Sequence, residues 1–442
     1  MDDVETARPA RNLAVDYYRA SGVVLIVLGH WLAGSVTYRD GQFGRENPLL
    51  DMPWTQWLTW IFQAVPVFFF VAGYAGAVSW DHRRGAESFS RQAWIRHRLA
   101  RVLGPTTVYV ALVSVIVVIL QARRLPGTVL EYAGWAVAMH LWFLAVYVLV
   151  VSLTPIAVAA HRRWGLLVPL ALAAGVVLVD TVSLAGHVAY IGTLNYLLCW
   201  GLLYQLGIAW QGGLLTGRRP VLLAAGSAVA LVLLIRVGPY PVSMIGVPGE
   251  AIENTTPPTV AMMAFGCTQA GLAMALAAAL DRVLHHRSVH RVLSTANANV
   301  MALYLWHMVP VVIVAIVAYP AGLIPQPHEG SVAWWLVRLE WIAILSVVTA
   351  AVLLLLWWQR RVFAVPLPTF GLPLGDRWAE AIMLTGAVLA AAGLHLLAQG
   401  GFAPNGRFSW PTAAVFAAGV LLVAVRPRTR DTVPPAKRLT AP

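Results

Sequence analysis

Apolar residues run in stretches of roughly 17–25, long enough to cross a hydrocarbon core of about 30 Å as helices. They lie near positions 14–36, 56–80, 102–121, 135–160, 165–184, 188–210, 219–236, 259–280, 296–318, 332–357, 378–399 and 409–425, with polar, Gly- and Pro-rich segments between them. This pattern predicts an all-α fold, a polytopic membrane helical bundle of about 12 transmembrane helices. Basic residues test the count independently, because Arg and Lys accumulate in cytoplasmic loops. With the N-terminus inside, the inner segments hold 23 basic residues and the outer loops 6, while Arg19 and Arg338 fall within spans. Both termini are therefore expected in the cytoplasm, as an N-terminal tail (1–13) and a C-terminal tail (426–442). Residues 1–13 mix acids and arginines ahead of a stretch long enough to span, so the first segment is expected to remain as a signal anchor in the cell (plasma or inner) membrane. The exterior loops 37–53, 122–134, 237–258 and 319–331 are long enough to rim an outward-facing site.

Composition supports the membrane reading and removes others. The chain has 442 residues, 59% hydrophobic and 11% charged, with mean hydropathy +0.71, a combination foreign to soluble domains. The net charge of +12 is spread over alternate loops rather than gathered with stacking aromatics, so no nucleic-acid partner is expected. Cys199 and Cys267 both sit in apolar stretches without metal-ligand spacing, which supports neither a disulfide framework nor a metal site.

Candidate chemistry starts in the first span. Ionisable side chains within a bilayer are expensive, about 2.5–3.5 kcal/mol each at the helix centre on the lenient scale, and they mark pathways or buried partners. Asp16, Arg19 and His30 share one stripe: at about 100° per residue the eleven steps from Arg19 to His30 leave about 20° of rotation and about 16 Å of rise. With the loop charges, Asp16 and Arg19 face the inner mouth and His30 the exterior. Asp16 reads as a salt-bridge partner of Arg19 one turn away at least as readily as a catalytic group. Arg338 and Glu340 in the tenth stretch and Asp180 in the fifth are further intramembrane charges. Many of the 19 tryptophans lie near span ends, where aromatic belts are routine.

The Arg19, ten residues, His30 spacing, followed by Val65–Tyr74 (VPVFFFVAGY), resembles the acyltransferase-3 family of integral membrane acyltransferases. Arg98-Leu-Ala-Arg101, with Pro105 soon after, is similar to that family's Arg-x-x-Arg motif. His140-Leu-Trp142 and Tyr304-Leu-Trp-His307 are further echoes in the same order. The chain has Ala72-Gly73-Tyr74 where the family commonly has Ser-Gly-Tyr, and no Glu-x-Pro follows the tenth span. On this resemblance residues 14–360 form a ten-helix acyltransferase-like domain, and 361–425 a cytoplasmic loop with two additional helices.

The resemblance implies transfer of an acyl group, often acetyl, from cytoplasmic acyl-CoA to a hydroxyl of a carbohydrate, lipid-linked sugar or small molecule. Acyl-CoA would be a co-substrate, with no permanently bound cofactor. His30 is the candidate general base, since a neutral imidazole near pH 7 is well matched to a hydroxyl proton. Arg19, Arg98 and Arg101 are candidate contacts for the CoA portion, because guanidinium forks match phosphate oxygens; for the latter two, plain positive-inside charge is the alternative. His140, Trp142, Tyr74, His307 and Glu340 are candidates for the substrate pocket. A proton-coupled secondary transporter or exporter, with Asp16, Arg19, Glu340 and the histidines as a relay, is the competing reading; the lack of similarity between the two halves weighs against it.

Overall fold

The computed structural model describes residues 12–85, 89–186, 188–363 and 366–427, so the two expected tails lie almost wholly outside the described residues. Helix α1 (Leu13–Ala33) starts where the Asn12 side chain accepts a hydrogen bond from the Val15 amide. It runs into a hairpin of β1 (Ser35–Arg39) and β2 (Gln42–Glu46), which the sequence pattern did not predict. Asp40 and Gly41 close it with φ of 52° and 76°, the backbone of a two-residue type I′ turn whose twist matches the strands. Short helices α2 (Pro48–Asp51) and α3 (Thr59–Phe62) lead into α4 (Val65–Arg84), and α5 (Arg91–Ala122) follows. The expected span at 135–160 is instead α6 (Gly127–Ala136) and α7 (Leu141–Ser152), bent by 40°, followed by α8 (Thr154–Trp164). Next come α9 (Leu167–Ala185), α10 (Asn195–Gln211), α11 (Arg219–Arg236) and α12 (Val260–Leu284). The expected span at 296–318 is likewise α13 (Arg287–Trp306) and α14 (Met308–Ala318), bent by 51°. Helices α15 (Val332–Trp358), α16 (Arg360–Phe363), α17 (Asp376–Gly400) and α18 (Trp410–Val423) complete the chain, with β3 (Phe370–Leu372) pairing parallel to β4 (Val425–Pro427).

Among the described residues eight helical segments are long and apolar enough to cross a membrane, or ten if each bent pair is one span. The charge-bearing α1 and the 14-residue α18 are not among them. The outer helices carry the surface a bilayer requires: Leu170 and Leu178 on α9, Leu222 and Val229 on α11, Leu336, Leu339 and Leu354 on α15 are all exposed. In water such contiguous apolar faces would aggregate; in lipid they are the solvated side. This is a multi-pass helical membrane protein.

Inside, α1 packs on α4, α12 and α13, and α4 lies along α10. A Cβ added to Gly73 would come within 1.9 Å of the Tyr204 carbonyl oxygen, and one on Gly207 within 1.9 Å of that of Phe70. Lipid gives no hydrophobic drive between helices, so such small-residue contacts let backbones approach and supply the packing.

Candidate functional site

Each bent pair breaks at a histidine. His307 separates α13 from α14, and Pro310 denies the ladder an amide that would bond the Trp306 carbonyl. His140 opens α7 after the break at 137–140. Non-helical backbone at membrane depth survives only where its polar groups find partners or line a cavity. Here tyrosines supply the partners: the Tyr109 hydroxyl donates to the Val137 carbonyl at 2.6 Å, and the Tyr304 hydroxyl to the His140 carbonyl. The Trp31 indole N–H donates to the His307 carbonyl at 3.0 Å.

These breaks bring three histidines together. His30 Nδ1 lies 2.8 Å from His307 Nε2, with the rings stacked at 5.1 Å, and the His140 ring is 4.9 Å from that of His307. Hydrogen-bond logic fixes the protons. His307 Nδ1 is 2.7 Å from the Tyr304 carbonyl, which can only accept, so neutral His307 carries its proton on Nδ1 and presents a lone pair at Nε2. His30 must then donate from Nδ1, which leaves its Nε2 as a lone pair. His30 lines a cavity of about 710 Å³, whereas His307 is fully buried behind it. His140 also lines the cavity; the Leu305 carbonyl lies beside its ring, yet neither ring nitrogen makes a hydrogen bond of normal geometry.

The other sequence candidates divide. Trp142 is in the cavity wall. Asp16 and Arg19 sit at the opposite end of the α1 stripe, away from it: Arg19 Nη2 is 3.0 Å from Asp16 Oδ1, and its Nε donates to Asn297 Oδ1 at 2.8 Å. Asn297 in turn donates to the Asp16 carbonyl at 3.1 Å. The stripe therefore meets α13 at both ends, at Asn297 and at the His307 cap. Arg98 stands over the Trp94 ring at 5.6 Å and Arg101 is exposed. Neither makes an ion pair or side-chain hydrogen bond among the described residues. Tyr74 is not in the cavity but packs on Trp210 and accepts from Asn12. Glu340 is exposed on the outer face of α15, while Arg338 is buried against the Gly34 carbonyl, Ser35 and the Trp334 ring. Asp180 accepts from Tyr240 and the Val260 amide, both at 2.8 Å, anchoring the segment before α12. Among the described residues no group of three His, Cys, Asp or Glu is placed to hold a metal ion.

Sequence reasoning left Tyr304, Tyr109 and Asn297 without roles. The one local hint for Asn297 is that a polar amide within an apolar stretch needs a partner.

Glu46, which lines the cavity, belongs to an acid cluster with Asp51 and Glu329. Burial, then the charges of Asp51 and Glu46, raise the Glu329 carboxyl to about 7, helped by a hydrogen bond to Asp51 and opposed by Arg338. Its folded pKa lies above the ordinary value, so its stabilisation is full below about 4.5 and is lost as pH rises through about 7. Wild-type protein should lose more thermal stability than Glu329→Gln between pH 5.5 and 8; equal pH dependence of the two midpoints would refute this.

One family model, Acyl_transf_3, described as an acyltransferase domain, matches residues 12–358. No curated protein and no solved structure matches.

Proposed function

The chain belongs to the Acyl_transf_3 family of acyltransferases, and from that membership and the histidine geometry we propose that it is a membrane O-acyltransferase using cytoplasmic acyl-CoA, with acetyl as the expected group. The carrying observation is the His30–His307–Tyr304 chain, which leaves one unprotonated imidazole nitrogen facing a cavity large enough for a substrate. His30 Nε2 accepts the proton of an acceptor hydroxyl as that oxygen attacks the thioester carbonyl. His140 stands beside this pair in the cavity wall, its ring 4.9 Å from that of His307. The tetrahedral intermediate then expels CoA thiolate, which takes the proton from His30 Nε2 and so restores the base, and the acyl ester leaves with the acceptor.

The two ends of α1 do different work in this reading. The excess of Arg in its loop favours the cytoplasmic side for the Arg98–Arg101 end, where two guanidinium groups without carboxylate partners among the described residues suit CoA phosphates. Arg19, engaged with Asp16 and Asn297, holds α1 in register with α13 so that His30 meets His307. A hydroxyl-bearing glycan, lipid-linked sugar or small molecule enters from the hairpin side.

Ligand-linked stability tests the donor half directly. A ligand that binds only the folded state adds about 2.7 kcal/mol at 100 times its Kd, so CoA or acetyl-CoA should raise the melting midpoint of detergent-solubilised protein. Arg98→Gln and Arg101→Gln should each weaken this binding about 10–100-fold, the range for a lost charge-assisted hydrogen bond. No shift at saturating CoA would sink the assignment. The acceptor would be identified as the surface glycan or metabolite that lacks its acyl group in a deletion strain.

A further inference from the structure

The family match ends at residue 358, yet the cavity wall does not. His395, Ala398 and Gln399 of α17 line it. The turn after α17 is also locked to the same wall: Phe402, fully buried, donates its amide to the Gly134 carbonyl at 3.3 Å, and Gly134 belongs to the helix that contributes Tyr132 and Trp135. A Cβ on Gly401 would come within 2.7 Å of the Trp135 amide nitrogen, so this docking is close backbone on backbone. Of the two additional helices, α17 is thus part of the cavity wall.

The wall has two chemistries. Around α17 the His395 ring stands 6.3 Å from Tyr196, which is 6.2 Å from Trp142, and Glu253, Thr256 and Gln399 complete that side. His395, Gln399 and Glu253 make no side-chain hydrogen bond or ion pair among the described residues, so three polar groups in a cavity wall hold unspent capacity. Elsewhere in the lining, α1 and α14 present Ile26, Val311, Ala315 and Ile316. Ile316 is substantially exposed, so the apolar part of the wall is open rather than sealed. A ligand satisfying both walls needs several hydroxyls at one end and hydrocarbon at the other, because buried polar groups must be paired and apolar wall gains nothing from a polar guest.

Resting on the acyltransferase reading above, we infer that α17 completes an acceptor subsite in which His395, Gln399 and Glu253 hold the head of an amphiphilic polyol while the α1–α14 wall holds its apolar part.

The test uses full-length protein in lipid nanodiscs and octyl β-glucoside carrying a photoreactive diazirine on its sugar. Labelled peptides should map to α17 and the 253–256 segment. Unlabelled octyl β-glucoside should compete about tenfold better than octanol, the scale of one or two neutral hydrogen bonds, and at least about tenfold better than glucose, which has no hydrocarbon for the apolar wall. His395→Leu with Gln399→Leu should lose the labelling, His395→Asn should retain part of it, and all variants should still be stabilised by CoA. Labelling unchanged in the double variant, or displaced equally by glucose or by octanol alone, overturns the inference. Wild-type protein that takes the label at α17 without CoA stabilisation would instead remove the acyltransferase reading and leave the subsite standing.

Discussion

His30→Ala is expected to lower acyl transfer by about 10²–10⁴-fold, the range supplied by a positioned general base, while donor binding survives. The expectation follows from where the proton must go. An alcohol is a poor nucleophile until its proton has an acceptor within hydrogen-bond reach, and His30 Nε2 faces the cavity as a lone pair because Nδ1 is committed to His307. The substitution has a structural side effect, since it leaves the buried His307 Nε2 without its donor, a loss of about 1–3 kcal/mol. His30→Gln separates the two effects: its amide N–H can still donate to His307, but it offers no basic nitrogen. Both variants should remain folded and CoA-stabilised, and both should transfer labelled acetyl from acetyl-CoA at near-background rates. A folded His30→Gln protein with wild-type turnover would remove His30 from the chemistry.

The parts of this site written in short-range periodicity were legible in the sequence. The 3.6-residue period alone put Asp16, Arg19 and His30 on one stripe, and the structure sets that stripe against α13 at Asn297 and His307. Long-range pairing was not legible: His307 is 277 residues from His30, and only the packing of α13 along α1 makes them neighbours. The two helix breaks were hidden because hydropathy continues across them; Pro310 was the one local clue, and the α6–α7 break rests on the Tyr109 and Tyr304 hydroxyls, which come from other helices. Asp40-Gly41 announced the β1–β2 hairpin, but the segment was short enough to pass for a loop. Glu340 and Arg338 illustrate the opposite case. Two steps along a helix rotate by about 200°, so the buried Arg338 and the exposed Glu340 could never both have faced one pocket. Nothing local in the sequence links α17 to the cavity, since its partners within the family-matched region, α5, α6 and α7, lie more than 200 residues earlier in the chain.

His307→Ala should cost nearly as much as His30→Ala, about 10²–10³-fold in transfer, although His307 never touches substrate. A base held in the wrong tautomer is geometrically present and chemically absent, and loss of such an orienting partner is known to cost up to about 10⁴-fold. With His307 gone, nothing fixes the Nδ1 proton of His30, so its cavity-facing nitrogen is protonated in part of the population and the ring can turn. Two readouts distinguish this positioning role from loss of packing. His307→Gln, whose side-chain oxygen accepts from His30 Nδ1, should recover a measurable part of kcat while His307→Ala does not, with the KM for acetyl-CoA unchanged in both. The double variant His30→Ala with His307→Ala should be no slower than His30→Ala alone, because two residues acting as one unit give non-additive losses. Additive losses in that cycle would mean that His307 contributes independently of His30, and the proton arrangement argued from the Tyr304 carbonyl would have to be abandoned.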